Sequence, residues 1–270
     1  IEQIPDSTIL ANQAGAASWK GTLGIRGRPH RFPLNGTTNL NGNDGTIARF
    51  GWKAQNKSLL MFSGEAYNVE MGISNELFQT ERDETANCQF ATTPNDVTGA
   101  EAGNVIEGMS AIEKFSHFMR FLAPPRPSTN RPGNAASIAS GKNLFQSVGC
   151  ALCHTPTMQT GNSAVAALRH QPVNLYSDLL LHGMGPGLAD DIPQVQAGPD
   201  EFRTAPLWGL GQRLFFLHDG RTTDLLEAIQ AHASAGNARF RASEANGVVA
   251  TYNRLSEQQK QDMLNFLRSL

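Results

Sequence analysis

Cys150-Ala151-Leu152-Cys153-His154 lies just past the middle of a chain of 270 residues. Two cysteines separated by two residues and followed directly by histidine form the attachment signature of a c-type haem. The thiols add to the two vinyl groups of the porphyrin, and the adjacent histidine binds the iron from one side. The other ring nitrogen of such a histidine usually donates to a carbonyl. The pentapeptide therefore predicts haem c bound through Cys150, Cys153 and His154.

Other interpretations of the cysteine pair stay open at this point. A thioredoxin-like redox pair has the same spacing, although no βαβ pattern precedes it. A zinc site would use the same thiols, but Cys88 is the one other cysteine in the chain, so a four-cysteine cage cannot form. We expect Cys88 to be an ordinary buried thiol. In a chain without haem, the paired thiols would be free or joined in a disulfide.

The composition excludes several classes of function. A formal net charge of −2 gives no basic surface for nucleic acid. No run of about 18 apolar residues exists, so no membrane span is predicted. Ile1 to Leu10 reads as folded protein and not as a signal peptide. Because haem c is attached outside the bacterial cytoplasm, we expect a periplasmic or otherwise exported protein whose leader has been removed.

Helical patterns surround the haem motif in the second half of the chain. Residues Ala135–Val148 read as a helix that runs directly into it. Another helix is predicted from Asp224 to Ala233, and the last helix opens with the capping box that begins at Ser256. A helix before the motif and one at the C-terminus are the arrangement of a cytochrome c domain. The proline-rich stretch at residues 124–128 predicts a linker before this domain.

The first half of the chain gives weaker signals. Residues 1–48 are rich in glycine and asparagine turns, which predicts irregular structure. Short helical patterns follow at Ser58–Ala66 and at Val105–Leu122, the second with an apolar stripe expected to face the core. Asn41–Gly45 could offer oxygen ligands to calcium, but an asparagine-rich turn explains the same residues. Calcium is therefore a secondary cofactor prediction.

Three segments downstream of the motif resemble a known family. They are Tyr176–Asp190 (YSDLLLHGMGPGLAD), Phe202–Gly211 (FRTAPLWGLG) and Phe216–Arg221 (FLHDGR). All three are similar to the di-haem oxidoreductases of the bacterial di-haem cytochrome c peroxidase superfamily. The similarity continues through Asp224–Ile229. It implies an oxidoreductase in which a covalent haem passes electrons to a second haem site that reduces hydrogen peroxide. A small redox protein or a quinone-linked donor would supply the electrons.

The resemblance also implies the second ligand of the iron. In these peroxidases the high-potential haem takes a methionine fourteen residues after the histidine of the H-D-G motif, and here that position is His232. The implied metal ligands are therefore His154 and His232. Met184 is the alternative ligand, and a surface histidine near a helix end is the ordinary interpretation of His232. We expect His218 and Asp219 to hold the turn instead of binding metal.

Five more site residues are expected, one of them, Glu70, from the resemblance. Glu70 lies in Asn68-Val69-Glu70-Met71-Gly72, which resembles the superfamily segment that places a catalytic glutamate above the peroxidatic haem. Trp52 could relay electrons between two haems, or simply anchor a loop. Arg203 and Arg221, and also Arg213, are candidates to neutralise haem propionates, because guanidinium pairs bidentately with carboxylate.

The sequence departs from the family in one respect, because family members carry two C-x-x-C-H motifs and this chain has one. The predicted fold is mainly α: residues 126–270 form a cytochrome c-type haem domain. Residues 1–125 form an irregular, loop-rich part of a second cytochrome c-like domain without its own haem motif. The chain would then be a fragment, one of two subunits, or a protein that works with one haem. The alternative function is a non-enzymatic single-haem electron-transfer protein.

Overall fold

The computed structural model describes residues 1–31, 47–81, 85, 87, 93–99, 108–127 and 132–270. Within these ranges the chain forms eight α-helices: α1 (Asp6–Ala14), α2 (Ala17–Leu23), α3 (Leu59–Met71), α4 (Ala111–Phe121), α5 (Ala135–Val148), α6 (Leu225–Ala231), α7 (Asn246–Asn253) and α8 (Glu257–Arg268). Short strands form three antiparallel pairs: β1 (His30–Arg31) with β2 (Ile47–Ala48), β3 (Met158–Gln159) with β4 (Pro172–Val173), and β5 (Leu181–Gly183) with β6 (Glu201–Arg203). The predicted mainly α class is confirmed.

The helix starts agree with the capping residues in the sequence. The Ser58 side chain accepts from the amide of Met61 at the start of α3. The Asn134 side chain accepts from the amide of Ser137 at the start of α5, which has the predicted bounds. The capping box of α8 is complete, because Ser256 and Gln259 bond each other's backbone amides. Such caps satisfy amides that have no partner inside the helix.

The first 48 residues contain helices that the sequence analysis did not predict. Helices α1 and α2 occupy much of the stretch expected to be irregular, and residues 32–46 lie outside the described ranges. Each helix buries a single residue, Ile9 in α1 and Lys20 in α2, so neither carries a periodic apolar pattern. Helix α2 ends at Gly24, whose φ of 82° suits glycine. The closely spaced glycines of this stretch therefore predicted a loop, although Gly24 marks the end of a short helix.

Helix α4 also differs from its prediction. It begins after a capping box formed by Ser110 and Glu113. Its buried residues are Ile112 and Ser116, whereas Leu122, expected on the core stripe, is 56 % exposed. Amphipathic spacing shows which residues share a face but not what covers that face, so the expected burial was too extensive.

Helix α5, which runs into the haem motif, packs against the last helix, α8. The rings of Phe145 and Phe266 meet edge to face with centroids 5.4 Å apart. The hydroxyl of Ser137 donates to Asp262 Oδ1 at 2.6 Å. Gly141 provides the close approach, since a Cβ built on it would lie 2.0 Å from the carbonyl oxygen of Asp262. This crossing positions the end of α5, where the motif begins.

The two largest apolar clusters join the N-terminal residues to the second half of the chain. Ile25 is buried in the cluster that contains Phe145 and Phe266. Ile4 and Ile9 are buried in another cluster that contains residues on both sides of β4, including Met158 and Leu175. Segment 1–31 therefore packs against elements on the far side of the expected boundary, and the division into 1–125 and 126–270 stays a prediction.

Two expectations fall outside the described residues: the calcium interpretation of Asn41–Gly45 and the buried thiol of Cys88. In the described part of the chain, no helix is long and apolar enough to cross a bilayer.

The close helix crossing predicts a large cost for a methyl group at Gly141. Gly141→Ala should lower the free energy of unfolding by about 2–3 kcal/mol, because the backbone of α8 must move away. Gly21→Ala is the matched control: a Cβ there meets nothing within 4 Å, so this change in α2 should be neutral or stabilising by up to about 1 kcal/mol. Urea unfolding measures both, and equal stabilities of the two variants would contradict the prediction.

Candidate functional site

The haem motif lies on a tight turn at the end of α5. Gly149 ends the helix with a φ of 108°, and a Cβ there would also crowd Leu23 at 3.1 Å. The chain then makes one 3-10 turn at Cys150–Leu152, and the amide of His154 donates to the carbonyl of Cys150 at 2.9 Å. The thiols of Cys150 and Cys153 are free and not joined to each other. The turn keeps both thiols and the histidine within one loop.

His154 is oriented by a backbone carbonyl. Its Nδ1 lies 3.0 Å from the carbonyl oxygen of Tyr176. A carbonyl can only accept, so Nδ1 carries the proton and Nε2 keeps its lone pair. Burial, with a smaller contribution from His232, lowers the pKa of His154 to about 4. The ring is therefore neutral at pH 7, which is the form that binds a metal.

His232 is held in the same way from another element. It is the residue that ends α6, and its Nδ1 lies 2.7 Å from the carbonyl oxygen of Ala228 one turn earlier. Burial lowers the pKa of His232 as well. Its own carbonyl accepts a hydrogen bond from the hydroxyl of Ser243 at 2.6 Å. A second neutral imidazole is thus fixed with its Nε2 unprotonated.

The two imidazole rings lie at a separation that suits one shared ion. The ring centroids of His154 and His232 are 6.5 Å apart, with the ring planes at 60°. A histidine nitrogen lies about 2 Å from a metal that it binds, and roughly 1 Å from its own ring centre, so two rings on opposite sides of one ion have centres about 6 Å apart. The family resemblance implied His232 as the partner of His154, and the structure brings the two rings close together.

A cavity of about 220 Å³ surrounds this pair. Both cysteines of the motif line it, together with residues of α5, α6, α7 and α8. Its wall is mostly apolar and includes Phe145, Leu210, Phe216, Leu225, Val248, Met263 and Leu267. An apolar pocket with a few convergent polar groups is the usual form of a cofactor site. Two free thiols, two neutral imidazoles and this wall match the donor set that haem c requires.

The arginine candidates separate into two groups. Arg203 lines the cavity, and burial lowers the pKa of its guanidinium to about 10, which leaves it charged at pH 7. Its Nε donates to the carbonyl of Gly51 at 2.8 Å. Arg213 lines the cavity and is exposed. Arg221 is not among the lining residues and pairs with Asp219 at 2.6 Å.

Trp52 lies at the edge of the cavity. Its side chain lines the cavity and is still 40 % exposed, and its ring meets His218 edge-on at 6.3 Å between centroids. The His218 ring in turn lies 4.3 Å from the Phe202 ring. The rings of Trp52, His218 and Phe202 thus form a series of contacts between the protein surface and the cavity wall.

The remaining candidates lie in different places. Met184 is buried, lines the cavity and packs with Leu188 and Phe202. Asp219 accepts from the Arg221 amide at 3.2 Å, so it holds the turn as expected. Glu70 is exposed on α3 and is not among the residues that line the cavity.

The structure adds an ionic triad that sequence reasoning did not identify. His182 Nε2 lies 2.9 Å from Asp178 Oδ2, and His182 Nδ1 lies 3.0 Å from Glu244 Oε2. His182 and Glu244 both line the cavity, and Cys153 Sγ is 3.7 Å from His182 Nδ1. Glu244 is 62 residues from His182, so no local pattern could have joined them.

The alternatives to haem find less support in this geometry. Among the described residues, Cys153, Asp178 and His182 form one group whose ligand atoms lie within 4.8 Å of one another. Both nitrogens of His182 contact carboxylates, which only accept, so this ring offers no lone pair to a metal. Burial, followed by the charge of Cys153, raises the pKa of Cys150 to about 12. A thiol of that kind is not a reactive thiolate of the thioredoxin type.

A comparison with protein families gives one match for this chain. The family is described as "Di-haem oxidoreductase, putative peroxidase", and the match covers residues 1–270. No curated protein and no solved structure matches the chain.

The carboxylate of Glu244 should make stability depend on pH. Burial raises its pKa, but the hydrogen bond and positive charge of His182 outweigh burial, and the amides of Gly27 and Arg26 add to the effect, so the pKa falls from 4.5 to about 2. This contribution is complete above pH 4.5 and is lost as the pH falls towards 2. At pH 7 it should reach about 2 kcal/mol, reduced by screening of the half-buried carboxylate.

Thermal unfolding of wild type and Glu244→Gln between pH 7 and pH 2.5 tests this dependence. The melting temperature of the variant should be lower at pH 7, and the difference should shrink below pH 4.5. Glu257→Gln is the control, because Glu257 is 91 % exposed and its surface pair with Lys260 contributes little at any pH. A difference that stays constant with pH would reject the assigned cause.

Proposed function

Because the chain belongs to the di-haem oxidoreductase family, we propose that it is a c-type haem oxidoreductase of the peroxidase type. Cys150 and Cys153 would carry one covalent haem c, with His154 and His232 as the two axial ligands. Bound there, the haem would supply a centre that takes up and releases one electron. We also propose that the protein acts in the periplasm or is otherwise exported, since that is where haem c is attached.

The opposed histidines support this proposal most strongly. Each imidazole is neutral, each donates from Nδ1 to a backbone carbonyl, and the ring centres are 6.5 Å apart. Metal-binding histidines commonly have this arrangement, because the carbonyl fixes the tautomer and the ring orientation. Met184 is buried in the same cavity and stays the alternative ligand.

Three further residues have proposed roles at this site. Arg203 would pair with a haem propionate, because its charged guanidinium lines the cavity. Trp52 would pass electrons between the cavity and a partner, because one side of its ring is exposed and the other meets His218. Arg221 is the weaker propionate candidate, because Asp219 already neutralises it.

Peroxide reduction would take place at a second haem site. Two histidines leave no open position on the first iron, so hydrogen peroxide would need a different one. Glu70 is the proposed residue at that second site, where its carboxylate would take a proton from peroxide and return it to the leaving oxygen. Its exposure on α3 leaves the carboxylate accessible to a partner or to another part of the protein. A small redox protein or a quinone-linked donor would supply the electrons.

A second candidate function is non-enzymatic electron transfer through one haem. The specific observation in its favour is that the rings of His154 and His232 lie close together in this chain, so both proposed ligands would be available without a partner. Such a site reduces reversibly without catalysis. Activity towards peroxide distinguishes the two functions.

The variant His232→Met tests the proposed ligand. A thioether in place of imidazole should raise the midpoint potential and keep the iron six-coordinate, because methionine stabilises the reduced state. His117→Met is the control, since His117 is exposed on α4. Intact mass establishes first that one haem is attached, and the reduced absorption spectrum reports the ligands. If spectrum and potential both stay as in wild type, His232 is not a ligand.

Glu70→Gln tests the peroxidase assignment in the protein that carries both haems. Loss of a proton-transferring carboxylate should slow peroxide turnover by about 100-fold or more. Glu257→Gln removes an exposed carboxylate from α8 and should leave turnover unchanged. Unaltered turnover in Glu70→Gln would remove Glu70 from the mechanism. If the wild type does not turn over peroxide at all and is reduced reversibly, the electron-transfer function replaces the peroxidase.

A further inference from the structure

We propose that Glu244 lowers the redox potential of haem c bound in the cavity, because its negative charge is held there beside the imidazolium of His182. The proposal rests on the proposed function, because it requires a haem in the cavity. It assigns a role to three residues, Asp178, His182 and Glu244, which together form a buried ionic triad beside the attachment cysteine Cys153.

The charge state of the triad follows from its hydrogen bonds. Each nitrogen of His182 lies within 3.0 Å of a carboxylate oxygen, one from Asp178 and one from Glu244. Both carboxylates accept, so both nitrogens must carry a proton and the ring must be a cation. One cation and two anions leave the triad with a net charge of −1.

Glu244 is held firmly in this position. Its Oε2 accepts from the amides of Arg26 at 2.8 Å and Gly27 at 2.9 Å, and its Oε1 accepts from the amide of Gly183 at 3.3 Å. Gly27 also lets the N-terminal segment approach, because a Cβ there would lie 2.6 Å from the His182 ring. Three fixed donors and a close backbone prevent the carboxylate from turning out to solvent.

The triad lies where its charge can act on the haem. His182 and Glu244 line the cavity that contains the two axial histidines, and Asp178 is completely buried. The amide of Asp178 donates to the carbonyl of Cys153 at 2.8 Å, which ties the triad to the attachment loop. Solvent screens these charges less than it screens surface charges, because the side chains of Asp178 and His182 are almost completely buried. Arg203 also lines the wall, where its charge acts on Asp178 while its guanidinium donates to the carbonyls of Gly51 and Thr204.

The sign of the effect follows from electrostatics. Oxidation of the iron adds one positive charge, and a nearby negative charge stabilises the oxidised state more than the reduced state. Glu244 therefore lowers the midpoint potential, in the same direction as the second histidine. Replacing the carboxylate by an amide removes one negative charge but keeps an oxygen that can accept from His182 and from the amides.

Midpoint potentials of the matured haem protein, measured by spectroelectrochemistry at pH 7, test the proposal. Glu244→Gln should raise the midpoint potential. Glu244→Asp keeps the charge, so most of the rise should be absent. Glu257→Gln makes the same change of charge at the surface and should leave the potential unchanged. An unaltered potential in Glu244→Gln, or an equal rise in Glu244→Asp, would overturn the role of the charge.

A second variant keeps the test decisive if Glu244→Gln fails to retain haem. Asp178→Asn removes the other negative charge and leaves an oxygen acceptor for His182, so it too should raise the potential, and no rise would overturn the proposal. The proposed function is judged separately on the wild type. It fails if the wild type carries no covalent haem or is not six-coordinate, whereas the role of Glu244 fails only in a wild type that passes both checks.

Discussion

Two neutral imidazoles, each fixed by a carbonyl and directed across one apolar cavity, are the constraint on which the site depends. A histidine without such a carbonyl partner would be free to change tautomer or to rotate, and its Nε2 would not face the opposite ring. Tyr176 and Ala228 supply these carbonyls from different parts of the chain. The site therefore requires that the loop after β4 and the end of α6 are placed correctly relative to the haem motif. The crossing of α5 and α8 fixes the position of the motif itself.

The N-terminal residues contribute to the core and to the hydrogen bonds around this cavity. Ile4 and Ile9 fill a core shared with residues around β4, while Ile25 contributes to the core beside the cavity. Glu244 receives two of its four hydrogen bonds from the amides of Arg26 and Gly27. A segment whose sequence predicts irregular structure thus supplies two of the donors that hold Glu244 at the cavity, so the proposed haem site depends on residues at the start of the chain.

The sequence predicts several local features of the structure and one long-range feature. The motif, the bounds of α5 and the capping box of α8 are encoded within a few residues, so pattern alone predicts them. The pairing of His154 with His232 came from a resemblance, since nothing in the spacing of these residues shows that they face each other. Helices α1 and α2 were missed because each buries one residue. The contact of Glu244 with His182 depends on tertiary packing, which no local pattern encodes.

The proposed pair of histidine ligands also bears on where peroxide could react. A site with two strong nitrogen ligands stores an electron well but has no position for peroxide, so chemistry on peroxide needs another iron. Glu70 is exposed on α3 and is not among the residues that line the cavity, so it would not serve an iron bound by His154. The net negative charge of the triad and a second imidazole ligand would both favour the oxidised state of such an iron. A centre of this kind donates its electron readily, which is the property that a second haem site would require of it.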